Sequence, residues 1–310
     1  MREYEFDDSD SFSRMRGRRR AENSPQPGRR GRLTERERSR LTDRREEMLE
    51  GRPPHGDRWT TWGQSEHGPK PRPGWVVTNL AAADTELGTL KTGKEANVHL
   101  IRREVDETSC LMAAKRYRSD DHKTFHRDSQ YLEGRRMRRS RENRAMTNRS
   151  SFGRNLIAEQ WAAAEFGALS RLWSAGVPVP YPVQRDGTEL LLEFLGSEDG
   201  EAAPRLAELK PTPAELHNLW DHLLAALVAL AGQGYAHGDL SAYNILVYNG
   251  EPVLIDLPQV VDVVANPTGP EFLARDVKNI LTWFTNRGLA PEIADQEDIT
   301  DLLITEAGLH

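Results

Sequence analysis

Hydrophobic and polar positions change their pattern near residue 75. Up to about Pro73, apolar residues are sparse and follow neither a strand nor a helix period. From Val76 onward they become regular. Leu87 to Leu90, Asn97 to Ile101 and Leu111 to Tyr117 read as strands, and in the last of these a period of two sets Leu111, Ala113, Lys115 and Tyr117 on one face. Asn155 to Ser174, closed by Gly176 and Pro178, reads as a helix whose apolar stripe carries Trp161, Ala168, Leu169 and Leu172. Thr188 to Gly196 reads as a strand running into a loop. A second helix has Thr212 as N-cap, Pro213 in the first turn, Glu215 completing a capping box, and leucines at 216, 219, 223, 227 and 230. It stops at Gly232 or Gly234. Ile245 to Tyr248 and Pro252 to Asp256 read as a hairpin through a type I′ turn at Asn249-Gly250.

The pattern divides the chain into a tail over residues 1–75, a strand-rich part over 76–192 and a helical part over 193–310. Within the second part, Ser119 to Arg154 lacks apolar periodicity and is strongly basic, with Arg135, Arg136, Arg138, Arg139, Arg141 and Arg144, so it reads as a flexible insertion. The longest apolar run, Leu223 to Ala231, is far short of the roughly 20 residues that cross a bilayer.

Composition sharpens the division. The 310 residues are 37% hydrophobic and 29% charged, and the net charge of -6 hides an asymmetry: residues 1–75 carry 18 Lys and Arg against 14 Asp and Glu, the remainder 24 against 34. The Arg-, Ser-, Gly- and Pro-rich tail therefore reads as disordered and dispensable for the core. It serves either as a solvating extension or as a contact for nucleic acid. A single cysteine, Cys110, excludes an intrachain disulfide, no Cys/His cluster suggests zinc, and no secretory h-region is seen, which together point to the cytoplasm.

Chemistry concentrates in four places. The loop Thr92-Gly93-Lys94-Glu95-Ala96, between two strands, could bring backbone N–H groups to phosphate oxygens, although a plain hairpin explains it equally well. Lys115 shares a face with apolar neighbours and needs an anion. Glu165 supplies one, because it sits in the apolar stripe of its helix, where an unpaired carboxylate costs several kcal/mol; Glu159 is the alternative on the same helix. A strand lysine paired with a helix glutamate is the device that positions nucleotide phosphates in kinases. Finally, His237-Gly238-Asp239-Leu240-Ser241-Ala242-Tyr243-Asn244 has the D-x-x-x-x-N spacing of a phosphotransferase loop, and the hairpin after it returns Asp256 beside Asn244. One carboxylate would take the proton of an attacking hydroxyl; an amide oxygen and a second carboxylate would hold Mg²⁺.

These segments, with Ala175-Gly176-Val177-Pro178, Ile255-Asp256-Leu257-Pro258-Gln259 and Glu271 to Asp276, resemble the RIO-type atypical serine/threonine protein kinases, the first RIO subfamily in particular. The resemblance implies an α+β, two-lobed kinase-like fold with a truncated second lobe and no activation segment. It implies ATP in the cleft against Thr92, Gly93, Lys94, Glu95 and Val98, with Lys115 and Glu165 on the phosphates and the backbone of Glu193 and Leu195 on the adenine. Asp239 would be the catalytic acid/base, and Asn244 and Asp256 the Mg²⁺ ligands. In that family the aspartate matching Asp256 is also a proposed phosphoryl acceptor. Family members resemble kinases or ATPases tied to small ribosomal subunit maturation, so the implied partners are a Ser/Thr protein substrate or the chain itself, with autophosphorylation in the insertion at Ser129, Ser140, Thr147, Ser150 or Ser151. A ribosomal particle or RNA could contact the basic segments; a membrane is not implied.

Asp256-Leu257-Pro258 stands in place of D-F-G, and only 54 residues follow Asp256, which removes the usual peptide-docking platform. The chain also starts without a winged-helix module, unlike the second RIO subfamily. Two other readings remain: an assembly factor that uses ATP as a switch, and a small-molecule phosphotransferase of the aminoglycoside-kinase type, which the T-G-K-E-A loop disfavours.

Overall fold

The computed structural model describes residues 51–118 and 151–309, apart from 52, 259 and 291, and the compact unit begins at Gly51. Its first part is a seven-stranded, wholly antiparallel sheet: β1 (Arg58–Trp59), β2 (Glu66–His67), β3 (Ala83–Thr92), β4 (Ala96–Val105), β5 (Thr108–Tyr117), β6 (Pro182–Asp186) and β7 (Glu189–Glu193), in the order β1-β3-β4-β5-β7-β6-β2. The strands expected from periodicity are the centre of this sheet; β3, β4 and β5 run longer than the apolar pattern alone marks, whereas β7 ends at Glu193, where the chain enters the loop. Strand β6 was not expected: it is short, and Gln184, Arg185 and Asp186 hide its period.

Strands β1 and β2 overturn the assignment of residues 53–75 to the tail. Only residues 60–65 separate them, yet they pair with opposite edges of the sheet, so this stretch is a strap across the outer face. Trp62 at its centre is buried with Val77, Ala82, Ile101, Cys110, Met112, Ala114, Tyr181, Val183 and Leu191, and it stacks on His67 with ring centroids 3.8 Å apart. Removing residues 1–75 would therefore open the outer core, contrary to the expectation that they are dispensable. Residues 1–50 and most of the basic insertion lie outside the described residues.

Beneath the strap is a buried polar staple. Arg103, wholly inaccessible, donates to both oxygens of Asp84 (2.7 and 3.0 Å) and to Gln184 Oε1 (2.8 Å). Gln184 in turn donates to the hydroxyls of Thr61 (2.7 Å) and Ser65 (3.0 Å) in the strap. Nearer the surface, Glu189 accepts from Arg58 of β1 and from Arg116 of β5 (2.6 Å). Burial pushes the Glu189 carboxyl up, but the two guanidinium groups outweigh it and its pKa is lowered.

Helix α1 (Ser151–Ser174) packs on the inner side of the sheet and begins four residues before the expected start, inside the stretch assigned to the insertion. The second part contains α2 (Pro213–Gly232), the hairpin β9 (Ile245–Tyr248) and β10 (Glu251–Leu254), the two-residue pair β8 (Tyr235–Ala236) and β11 (Val261–Asp262), then α3 (Gly269–Thr285) and α4 (Gln296–Glu306). The capping box at Thr212 and Glu215 forms as the sequence requires, and Asn249 (φ 54°) and Gly250 (φ 83°) make the left-handed turn of the hairpin. The leucine face of α2 buries Leu216, Leu219, Leu223, Leu227 and Leu230 together with Trp220, in a core continuous with α1 through Phe166, Leu169 and Leu172. This is the expected α+β arrangement, a curled sheet with a small helical partner. Among the described residues no helix is long and apolar enough to cross a membrane.

Candidate functional site

Alternation along β5 points Lys115 inward, where its register partner on β4 is Val98. Lys115 Nζ donates to Glu165 Oε1 at 2.6 Å and to Asp256 Oδ1 at 2.7 Å. Glu165, on α1, is almost completely buried, whereas the rival Glu159 is exposed. Burial opposes the charge on Lys115, but the two carboxylates outweigh it and the ammonium pKa is raised. The second oxygen of Glu165 accepts from the hydroxyl of Tyr117, two residues along the same strand. Burial and the neighbouring carboxylate push that phenol well above its usual range, so it remains a donor.

Asp256 lies two residues beyond the end of β10, where its left-handed backbone (φ 64°) turns it out of the strand expected to include it. A non-glycine residue in this region carries backbone strain. The turn delivers the carboxylate to two lysines, Lys115 and Lys91, the latter at 3.2 Å from Oδ2. Burial pushes the carboxyl up; the lysines more than reverse this and hold it well below the usual carboxylate range.

The loop after α2 is held by groups that fix its backbone. Asp276 of α3 accepts from the N–H of Gly238 (2.8 Å) and of Leu240 (3.0 Å), bracketing Asp239, which is exposed. Burial raises the Asp276 pKa against the opposing pull of His237 and those two N–H groups. His237 Nε2 meets the carbonyl of Ile255 at 3.0 Å, and the N–H of Ile255 donates to the carbonyl of Asn244 at 3.0 Å, so the residue before Asp256 is anchored to the loop on both sides. Asn244 donates its side-chain N–H to the carbonyl of Asp239 at 2.9 Å, which leaves its amide oxygen as the end that can face a cation.

The remaining expected residues divide. Gly93 closes the β3–β4 loop by donating to the carbonyl of Ala96 at 3.0 Å, and a Cβ on Gly93 would come within 2.8 Å of that oxygen, so the tight turn needs glycine. Thr92 and Lys94 are exposed, with Glu95 half-buried beside them. At the junction with the second part, the Glu193 N–H already donates to Tyr181 O (2.8 Å) and its carboxylate accepts from Tyr181 N (2.9 Å), while the Leu195 carbonyl accepts from Ala203 N (2.8 Å). Two of the backbone groups expected at an adenine, the Glu193 N–H and the Leu195 carbonyl, are thus committed within the protein. The phosphorylation candidates Ser129, Ser140, Thr147 and Ser150 lie outside the described residues. Ser151 opens α1.

Three contributors are given no role by the sequence: Lys91, Tyr117 and Asp276. Asp276 carries the same signal as Glu165, a carboxylate in an apolar helical stripe, here among Leu273, Val277 and Ile280.

Comparison with known proteins places the chain in a family. Residues 104–299 match the RIO domain. The chain is 32% identical over 201 residues to the RIO-type serine/threonine-protein kinase Rio1 of Haloferax volcanii, covering 65% of this chain and 63% of that protein. Against serine/threonine-protein kinase RIO1 of Chaetomium thermophilum it is 32% identical, covering 65% of this chain and 40% of the relative. Against that of Saccharomyces cerevisiae it is 29% identical, covering 69% and 47%. The matches span less than two thirds of each of these relatives. With its loop, strand lysine, helix glutamate and returning aspartate all falling inside or beside the matched region, the chain belongs to the RIO domain family.

Proposed function

We propose that this protein is an ATP- and Mg²⁺-dependent serine/threonine kinase or ATPase, with Lys115 and Glu165 positioning the phosphates. The observation that carries the reading is the placement of Lys115 Nζ between a buried glutamate (2.6 Å) and Asp256 (2.7 Å), one residue after an anchor of the Asp239–Asn244 loop.

The donor set fits the metal. No cluster of three or more His, Cys, Asp or Glu side chains could hold an ion among the described residues. Asp256 and Asn244 offer one carboxylate and one amide oxygen, a set that suits Mg²⁺ only when phosphate oxygens complete it. When bound, Mg²⁺ would neutralise charge developing on the phosphates. Asp239, exposed and fixed through its flanking N–H groups and its own carbonyl, can reach an incoming hydroxyl. As the hydroxyl oxygen bonds to the γ-phosphorus and the bond to the bridging oxygen breaks, the hydroxyl proton passes to Asp239 and ADP leaves. The adenine would use the other backbone groups of the junction, the Glu193 carbonyl and the Leu195 N–H.

The test is incubation with γ-labelled ATP, alone and with ribosomal fractions, followed by identification of each labelled species. Hydroxylamine-stable label on serine or threonine is expected for a kinase. Label released by hydroxylamine and mapped to the Asp256 peptide would instead indicate an acyl phosphate, with water completing an ATPase cycle. Label on an added aminoglycoside and on no protein would support a small-molecule kinase. ATP-dependent release from ribosomal particles without transferred label would support a switch.

Gly93→Ala should weaken ATP about tenfold, a loss of roughly 1.4 kcal/mol. The fold should be intact, because the loop is a tip of the sheet. Calorimetric titration with ATP and thermal melting separate the two quantities; a variant with parental ATP affinity would place the phosphates elsewhere.

A further inference from the structure

Lys91 reaches the site because strand β3 is irregular. Thr89 pairs with His99 and Lys91 with Val98, so Leu90 is an extra residue with no counterpart on β4. In a regular strand Thr89 and Lys91, two apart, would share a face. The bulge breaks that parity. Thr89 stays on the outer face with its hydroxyl 3.4 Å from His99 Nδ1, while Lys91 joins Val98 and Lys115 on the inner face, a re-aiming that bulges commonly produce beside active sites. Lys91 is partly exposed, with 37% of its side chain accessible, so it is free to swing, whereas Lys115 is buried.

The consequence is a balanced cluster of two ammonium groups, Lys91 and Lys115, and two carboxylates, Glu165 and Asp256, in which each oxygen of Asp256 is taken by a different lysine. We propose that Lys91 is a second phosphate-directed lysine and a placeholder for the metal. It occupies Asp256 Oδ2 before nucleotide arrives and exchanges to a phosphate oxygen when the nucleotide enters with its cation. The inference rests on the nucleotide-site reading above. A divalent ion alone would have to displace an ammonium that has only water to turn to, giving up its ion pair. A nucleotide carrying the ion supplies a destination, since phosphate oxygens accept the freed ammonium while Asp256 accepts the metal. Metal and nucleotide binding are then coupled by charge.

Two binding measurements test this without turnover. The first follows Mn²⁺ by electron paramagnetic resonance in the absence of nucleotide; the second follows ATP in excess EDTA by calorimetry. Each uses the full chain, Lys91→Ala, Lys91→Arg and Lys115→Ala. Lys91→Ala is expected to bind Mn²⁺ about tenfold more tightly than the parent and metal-free ATP about tenfold more weakly. Lys91→Arg, which keeps the charge, should restore both toward the parent. Parental Mn²⁺ and ATP affinities in Lys91→Ala, with Lys115→Ala still weakening ATP, would overturn the role of Lys91 and leave the nucleotide site standing. No ATP affinity in the parent would overturn the site itself, and the role of Lys91 with it.

Discussion

Asp239→Ala is expected to lower phosphoryl transfer by about 10³-fold or more while leaving ATP affinity within about twofold of the parent, since a positioned general base contributes about 10²- to 10⁴-fold and the phosphate-directed lysines bond Glu165 and Asp256 instead. Lys115→Ala should show the opposite balance. It removes the cation shared by Glu165 and Asp256, so ATP affinity falls along with turnover. Single-turnover transfer measured beside ATP titration distinguishes them. Transfer by Asp239→Ala at a parental rate would remove that residue from the chemistry and point to water or the phosphate itself as the proton acceptor.

The largest effect on stability is expected at Arg103. Alanine there would leave Asp84 buried without its bidentate partner and Gln184 Oε1 without its donor, and breaking a buried pair of this kind costs about 3 to 5 kcal/mol. For a unit of this size that lowers the melting temperature by roughly 10 °C. Replacing both members, Arg103→Met with Asp84→Leu, should recover part of the loss, because no lone charge then remains inside. The single variant melting within about 2 °C of the parent would show that the staple contributes little. Because Gln184 also holds Thr61 and Ser65, the single variant should expose the strap to protease before the sheet unfolds.

Glu165 and Asp239 could be read from the sequence for different physical reasons: one is a charge placed where a helix is apolar, the other belongs to a fixed spacing of polar residues on a loop. Both are local signals. Lys91 could not be read because its direction depends on the bulge at Leu90, which pairing with β4 creates and which reverses the face that counting assigns. The strap was missed since its two strands have two residues each, too short to show a period, and it is fastened by Arg58, Thr61, Ser65 and one buried tryptophan, without an apolar run. The hairpin brings Asp256 beside the loop, next to the Ile255–Asn244 bond, but its φ of 64° takes it out of the ladder that apolar counting extends through it. That departure is what lets it face Lys115.

The strap also bears on how another protein could be held. Sheets often recruit extended peptides by adding them as one more strand along an open edge, where a row of unpaired N–H and C=O groups supplies the affinity. Here the outermost strands are Arg58–Trp59 on one side and Glu66–His67 on the other, and two residues offer a peptide only one or two such bonds; the length of β3 left uncovered, Thr85 to Thr92, is broken by bulges at Leu87 and Leu90. A polypeptide substrate would therefore find little main-chain purchase along the edges of this sheet and would be selected by side chains around the mouth of the cleft, where Tyr243, 65% exposed, stands beside Asn244.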